Sequence, residues 1–197
     1  GLQHEQQHQE LFYTEIKRIL AQSPPEFRRA YASSAGVSCH ARPAPPLQWI
    51  DLPGGLSEFG NREGGWCWDN ELPVHRQHLE DYRLENRLVT NGEFLEFLAD
   101  GGYRRPLLWL DNGWQCVEQE RWTAPLYWEQ RDAQWWIWTL GGCRPLDPAE
   151  PVCHVSFYEA DAYARWKSET SAEYRGARLP SEREWEQAAR AAGVDAT

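Results

Sequence analysis

The sequence predicts an α+β fold in which one helical segment precedes an irregular domain of short strands and scattered helices. Three observations support this prediction: an apolar stripe of helical period near the start, a proline-rich segment, and three capping boxes beyond it. The 197 residues are 41% hydrophobic, which suffices for a packed core. We therefore expect the end of a helical bundle at 1–31, a linker at 32–46 and the α+β domain at 47–197.

The first element is a predicted helix over residues 1–21, which ends before Pro24 and Pro25. At about 100° per residue, four apolar side chains and two histidines share one arc of this helix. Both histidines are therefore expected to point into a bundle, whereas Lys17 and Glu10 lie on the other side. The members of the arc are His4, His8, Leu11, Phe12, Ile16 and Ile19.

The domain that follows mixes strands with capped helices. Residues 47–60 contain Pro53-Gly54-Gly55 and predict a strand, a turn and a strand, and residues 75–84 predict one further strand. The aromatic-rich stretch 109–138 predicts short β-like runs and turns. Three helices are predicted because a hydroxyl and a carboxylate three residues apart satisfy the first N–H groups of a helix. These boxes are Thr90–Glu93, Ser156–Glu159 and Ser181–Glu184.

Charge, hydropathy and cysteine usage limit the classes of function to consider. Twenty Lys and Arg against thirty Asp and Glu give a net charge of −10, which argues against a nucleic-acid-binding surface. No apolar run reaches the roughly 18 residues that a membrane-spanning helix needs. The five cysteines contain no CxxC pair and predict reduced thiols in a cytoplasmic protein, with a Cys143–Cys153 bridge as the alternative.

The sharpest local pattern is His4-Glu5-Gln6-Gln7-His8. Histidines four apart on a helix share a face, so both imidazoles can reach one metal ion. The same letters spell HExxH, in which Glu5 would act as the general base of a zinc hydrolase. Two interpretations remain open from these residues alone: a metal-binding pair, or two hydrogen-bonded histidines in a bundle core.

The histidine helix also resembles a family motif. The stretch His4-Glu5-Gln6-Gln7-His8-Gln9-Glu10 is similar to the HxxxHxE helix of the ergothioneine-type sulfoxide synthases, where it is the last helix of a DinB-like four-helix bundle. The rest of the chain resembles the formylglycine-generating-enzyme (sulfatase-modifying factor) domain fused to that bundle, which has a C-type-lectin-like fold. The main matching stretches are Phe59-Gly60, Asp69–Pro73 with His75, Leu88–Phe94, Asp100–Tyr103, Gly113-Trp114, Pro151–Ser156 and Ala177–Glu186.

This resemblance implies a mononuclear non-haem Fe(II) enzyme of ergothioneine biosynthesis. Such an enzyme uses O₂ to join a thiol, cysteine or γ-glutamylcysteine, to the imidazole of hercynine and to oxidise the sulfur to a sulfoxide. The resemblance assigns His4 and His8 as iron ligands and Gln7 as a hercynine contact. It places a third histidine before Gly1 and an active-site tyrosine after Thr197, so this stretch is expected to be an inactive fragment of a longer protein.

Several alternatives stay open at this stage. A selenium-using relative or an ovothiol-type relative acting on histidine would share the fold, as would a non-catalytic binding module. A zinc hydrolase using Glu5 is a further alternative. His75 and His78 lie three apart on a predicted strand and should point to opposite faces. The tryptophan cluster is interpreted as core packing rather than as a cation–π surface for a trimethylammonium group. It comprises Trp109, Trp114, Trp122, Trp128, Trp135, Trp136 and Trp138.

Overall fold

The computed structural model describes residues 1–24, 43–62 and 65–193. The predicted end of the bundle at 25–31, most of the predicted linker, and the last four residues lie outside the described residues. The helices are α1 (Leu2–Gln22), α2 (Asn91–Ala99), α3 (Asp111–Glu120), α4 (Phe157–Thr170) and α5 (Glu182–Ala191). The strands are β1 (Trp49–Leu52), β2 (Gly55–Phe59), β3 (His75–Leu79), β4 (Tyr82–Glu85), β5 (Trp128–Arg131), β6 (Gln134–Thr139) and β7 (Gly142–Pro145).

The first four strands form two nested antiparallel pairs. β2 pairs with β3 and β1 pairs with β4, so the two strands predicted within 47–60 exist but do not pair with each other. The single strand predicted at 75–84 is wrong, because the chain turns between Leu79 and Tyr82. At that turn Asp81 Oδ1 accepts a hydrogen bond from the Gly54 N–H at 2.8 Å, which links it to the turn between β1 and β2. The third sheet is the antiparallel meander β5-β6-β7.

All three predicted capping boxes are confirmed. In each, the N-cap hydroxyl accepts a hydrogen bond from the backbone N–H three residues on, and that residue's carboxylate accepts from the N-cap N–H. The pairs are Thr90 with Glu93 on α2, Ser156 with Glu159 on α4, and Ser181 with Glu184 on α5. The starts of these helices were predictable because every partner lies within three residues.

Two of the boxes carry an additional arginine three residues before the N-cap. Arg87 donates to both carboxylate oxygens of Glu93 at 2.8 and 2.9 Å, and Arg178 donates likewise to Glu184 at 2.6 and 2.8 Å. These arginines, helped by the capping hydrogen bonds, lower the pKa of each carboxyl from 4.5 to about 2. At the start of α4 the corresponding position is Cys153.

The third box has a different partner for its carboxylate. The Tyr103 hydroxyl donates to Glu159 Oε1 at 2.5 Å, and both side chains are buried. Burial and the neighbouring carboxylate raise the pKa of Tyr103 above its usual value. The phenol therefore stays protonated and remains a hydrogen-bond donor. The capping carboxylate of α4 thus has a buried neutral donor, whereas those of α2 and α5 each have an arginine cation.

The core is aromatic and lies between α2 and α4. Phe94 and Phe97 of α2 are buried against Tyr163 and Trp166 of α4, with the Phe94 and Tyr163 rings stacked at 5.4 Å. The interpretation of the tryptophans as core packing is confirmed for most of the cluster. Three of them are buried and three pack partly buried against the core: Trp109, Trp128, Trp138, and Trp114, Trp122, Trp135.

Helix α3 was not predicted. Residues 109–138 were expected to form only short β-like runs and turns, yet Asp111–Glu120 is helical. Gly113 weakens the local helical signal, but a Cβ there would lie 2.7 Å from Tyr158. Close packing against α4, together with burial of Val117, therefore stabilises a helix that local propensity disfavours.

The thiols agree with the prediction of reduced cysteines. Of the residues described, Cys67, Cys116, Cys143 and Cys153 all carry free thiols, so the alternative Cys143–Cys153 bridge is not formed. Cys39 lies outside the described residues. No helix in the described part of the chain has the length and apolar character needed to cross a membrane.

Candidate metal centre on helix α1 and its junction with the domain

The two predicted metal ligands lie side by side on α1. The ring centroids of His4 and His8 are 4.4 Å apart and their planes are inclined at 80°. Both side chains are exposed, as is Gln7, which lies one turn from His4. Glu5 precedes His8 by three residues and is also within a turn of it. Helix α1 therefore brings together the residues that the resemblance assigned to iron and hercynine binding.

The predicted burial of this arc is not observed. Leu11 is 52% exposed, Phe12 54% and Ile19 57%, and none of the residues in α1 is buried. The reason is the side from which the domain approaches. It contacts α1 at Lys17, which lies about 180° around the helix from His8 at 3.6 residues per turn. The described residues thus leave the histidine arc exposed except at Ile16, which is partly buried.

The donor set suits a divalent transition metal. Two neutral imidazoles with open positions fit Fe(II), and they also fit Zn²⁺. Within the three described ranges, no group of three or more His, Cys, Asp or Glu side chains is arranged to hold a metal ion. The helix therefore offers two ligands, and any further ligand has to come from elsewhere.

The junction between α1 and the domain is a compact polar and aromatic cluster. Lys17 Nζ lies 2.6 Å from His154 Nε2 and 4.5 Å from the centroid of the Tyr127 ring. The Tyr127 and His154 rings meet edge to face at 4.9 Å. The Trp138 indole N–H donates to the Lys17 carbonyl oxygen at 3.3 Å. Lys17 thus contacts two residues of the domain through its side chain and a third through its backbone carbonyl.

Electrostatics at the junction favour neutral groups. Burial lowers the pKa of Lys17, and burial together with the Lys17 charge lowers the pKa of His154. Burial raises the pKa of the Tyr127 phenol. The sequence analysis placed Lys17 on the side of the helix away from the histidines but did not identify its partner. No short-range signal could, because His154 lies 137 residues further along the chain.

The remaining histidine candidates do not form a site. His75 pairs with Phe59 and His78 pairs with Leu56 across the β2–β3 ladder, three positions apart, so they point to opposite faces as predicted. His75 Nδ1 lies 3.1 Å from the Pro73 carbonyl oxygen, and His78 Nδ1 lies 3.6 Å from Glu80. Each therefore has a local partner instead of a shared metal.

Comparison with known families agrees with this architecture. Residues 37–197 match the sulfatase-modifying factor enzyme 1-like domain. The chain belongs to this family. The matched segment includes strands β1 to β7 and helices α2 to α5, whereas α1 lies before it. The histidine helix is therefore an addition to the family domain.

Individual relatives divide into two groups. The hercynine oxygenase of Mycolicibacterium smegmatis is 33% identical over 189 residues, which cover 95% of this chain and 40% of that protein. The hercynine oxygenase of Mycobacterium tuberculosis is 40% identical over 120 residues, covering 61% of this chain and 26% of that protein. The formylglycine-generating enzyme of Streptomyces coelicolor is 34% identical over 183 residues, covering 81% of this chain and 52% of that enzyme. The chain thus spans about half or less of each relative.

Proposed function

We propose that this chain is part of an Fe(II)- and O₂-dependent sulfoxide synthase of ergothioneine biosynthesis. The enzyme would join a small thiol, cysteine or γ-glutamylcysteine, to the imidazole ring of hercynine. The activity would belong to the longer protein of which this chain forms a part. The family domain would supply the scaffold, and α1 would supply ligands.

The observation that carries this proposal is the extent of the similarity to the Mycolicibacterium smegmatis hercynine oxygenase. That similarity covers 95% of the chain, and the unmatched 5% is smaller than the 21 residues of α1. The similarity must therefore extend into at least the second half of α1. The match to the family domain begins only at residue 37. The similarity over α1 thus supports hercynine chemistry over formylglycine formation.

Each residue of the helix has a role in the proposal. His4 and His8 would hold the iron through neutral imidazole nitrogens, and bound Fe(II) would supply the redox chemistry with O₂. Gln7 lies one turn from His4 on the same helix, and its carboxamide can both donate to and accept from a substrate. Covering the exposed apolar arc with further helices would exclude water from the site.

The test is product formation by the full-length protein. Protein loaded anaerobically with Fe(II) would receive hercynine or histidine together with cysteine, γ-glutamylcysteine or a selenium donor, followed by air, and adducts would be identified by mass spectrometry. We expect a sulfoxide adduct with one of the thiols. A selenium adduct would assign the selenoneine-type reaction, and an adduct with histidine would assign the ovothiol-type reaction. Absence of any adduct from iron-loaded protein would contradict the proposal in favour of a binding module.

Two further comparisons sharpen the roles. Gln7→Ala should raise the KM for hercynine about tenfold, the effect of losing roughly 1.4 kcal/mol of hydrogen bonding. Gln6→Ala is the matched control, because Gln6 lies on the far side of the helix from His8, and it should leave KM unchanged. Peptide hydrolysis by zinc-loaded protein, lost in Glu5→Gln and accompanied by no O₂ consumption, would instead support a zinc hydrolase.

A further inference from the structure

Two basic side chains face each other at the contact between α1 and the domain. Lys17 Nζ and His154 Nε2 are 2.6 Å apart, which is hydrogen-bonding distance. A protonated Lys17 can only donate, so Nε2 must carry the accepting lone pair and the ring proton must lie on Nδ1. With His154 neutral and Lys17 protonated, the contact therefore holds one positive charge between two basic groups.

A second proton would change this contact from attraction to repulsion. Protonated His154 would donate from both ring nitrogens and would offer Lys17 no acceptor. Two like charges would then lie 2.6 Å apart, one on the partly buried Lys17 and one on the exposed His154. The lowered pKa values of both groups agree with this cost.

The charges around the pair act on its protonation in both directions. Besides burial, Cys153 raises the pKa of Lys17 and Arg144 lowers it, and Arg144 is itself paired with Glu150 at 2.6 Å. On α1, Glu15 and Arg18 act on Tyr127 with opposite signs. The Tyr127 ring contributes only its cation–π contact at 4.5 Å, which attracts Lys17 while that group is charged.

The two domain residues that contact the Lys17 side chain have an unusual backbone conformation. His154 has φ of +60° and Tyr127 has φ of +74°, both in the left-handed region that non-glycine residues seldom adopt. The two segments are joined by a hydrogen bond from the Leu126 N–H to the His154 carbonyl oxygen at 3.3 Å. Strained residues of this kind persist where surrounding structure fixes them, often at functional positions.

We propose that Lys17 and His154 form a one-proton pair that positions α1 on the domain, and that a second proton releases the helix. For catalysis this inference rests on the proposed function. Nine residues separate Lys17 from His8, about 13.5 Å along a helix. The pair would therefore orient the His4, Gln7 and His8 side chains without touching substrate or metal, as positioning residues.

The expected pH dependence has a definite sign. In the docked structure, burial and the Lys17 charge lower the pKa of His154 below 6.5, so this state binds fewer protons there. The contribution of His154 is therefore complete above pH 6.5 and is lost as the pH falls through the lower, docked-state pKa. A difference of one pKa unit between docked and undocked states corresponds to about a tenfold change in the docking equilibrium.

The test is amide hydrogen exchange of the full-length protein without iron or substrate, which separates this inference from the proposed function. Protection of residues 11–22 is measured from pH 8 to pH 5, relative to α4 and corrected for intrinsic exchange. We expect relative protection to be lost as the pH falls from 6.5 to 5. A flat wild-type profile would overturn the proposal.

Variants separate titration from packing. His154→Asn keeps an acceptor for Lys17, tolerates a positive φ and cannot titrate, so protection should remain high and become independent of pH. Lys17→Met should also remove the pH dependence by removing the repelling charge, whereas Lys17→Arg should retain it. His78→Asn is the control, since that histidine lies on β3. Wild-type pH dependence in His154→Asn would refute the inference.

The consequence for catalysis is measured on the iron-loaded protein. His154→Asn should leave the iron content unchanged and shift the acidic limb of the kcat/KM profile to lower pH. A purely structural role for His154 would lower activity equally at every pH. An unshifted acidic limb in an active enzyme would refute the coupling between the junction and the site.

Discussion

Three helices of the domain, α2, α4 and α5, are held in place by different interactions from those that attach α1. The first three begin in capping boxes whose carboxylates have a further arginine or tyrosine donor, and two of them pack aromatic side chains into the core. Helix α1 has no side-chain cap and no buried residue, and it meets the domain at Lys17. The candidate ligands thus lie on the helix that contributes least to the fold. Stability and chemistry should therefore respond to different substitutions.

The largest expected difference is between two phenylalanines. Phe97 of α2 has no exposed surface, whereas Phe12 of α1 is 54% exposed. Phe97→Ala should lower the free energy of unfolding by about 3–5 kcal/mol, and Phe12→Ala should change it by less than about 0.5 kcal/mol. Urea unfolding followed by tryptophan fluorescence measures both. Equal losses would contradict the separation of α1 from the core.

The capping carboxylates should make the stability of the domain depend on acid pH. The pKa values of Glu93 and Glu184 are about 2 in the fold against 4.5 ordinarily. Their stabilisation is therefore complete above pH 4.5 and is lost as the pH falls towards 2. Melting temperatures measured from pH 6 to pH 2 should fall across that window.

A matched pair of variants tests this source of stability. Glu184→Gln should cost about 1.5–3 kcal/mol at pH 7, the value of hydrogen bonds to a charged group, and should flatten the acid profile. Glu182 lies on the same first turn, is exposed and has no role in the box, so Glu182→Gln serves as the control. An unchanged profile in Glu184→Gln would show that the loss at acid pH arises elsewhere.

The hydrogen bond from Tyr103 at the start of α4 should be independent of pH between pH 6 and pH 9. Tyr103→Phe removes the donor to the buried Glu159 and should cost about 1–3 kcal/mol, because a buried acceptor loses a partner. Since the fold raises the pKa of Tyr103, this cost should be constant from pH 6 to pH 9. Thermal unfolding across that range checks it. A cost that disappears at the alkaline end would contradict a protonated phenol.

The smallest expected effect on stability is at the candidate site. His4 and His8 are exposed, and their ring contact is with each other. His8→Ala should therefore change the free energy of unfolding in metal-free protein by less than about 0.5 kcal/mol. Calorimetry on metal-free wild type and variant measures this difference. A loss above about 2 kcal/mol would favour the alternative of histidines with a structural role.

Features that depend on neighbours in sequence were predictable. The capping boxes and the His4–His8 pair follow from spacings of three and four residues, and the structure contains all of them. The strands β1 and β2 were predicted from their turn residues. Their pairing was not, because β1 finds its partner in β4 across the intervening hairpin.

Features that depend on distant partners were missed. Helix α3 forms because Tyr158 packs against Gly113, and the junction forms because Lys17 meets His154. That the histidine arc faces a helical bundle stays a prediction, since the described residues contain no further bundle helix that could cover it. The roles of His4, Gln7 and His8 in binding iron and hercynine stay predictions.

The most direct test of the central claim is an anaerobic Fe(II) titration of the full-length protein. The wild type should bind one Fe(II) per chain, and His78→Ala, which removes an exposed histidine on β3, should bind the same amount. His8→Ala should lose that equivalent, because removing one imidazole leaves the helix with a single ligand. Full iron loading in His8→Ala would contradict the assignment of α1 as the metal-binding helix.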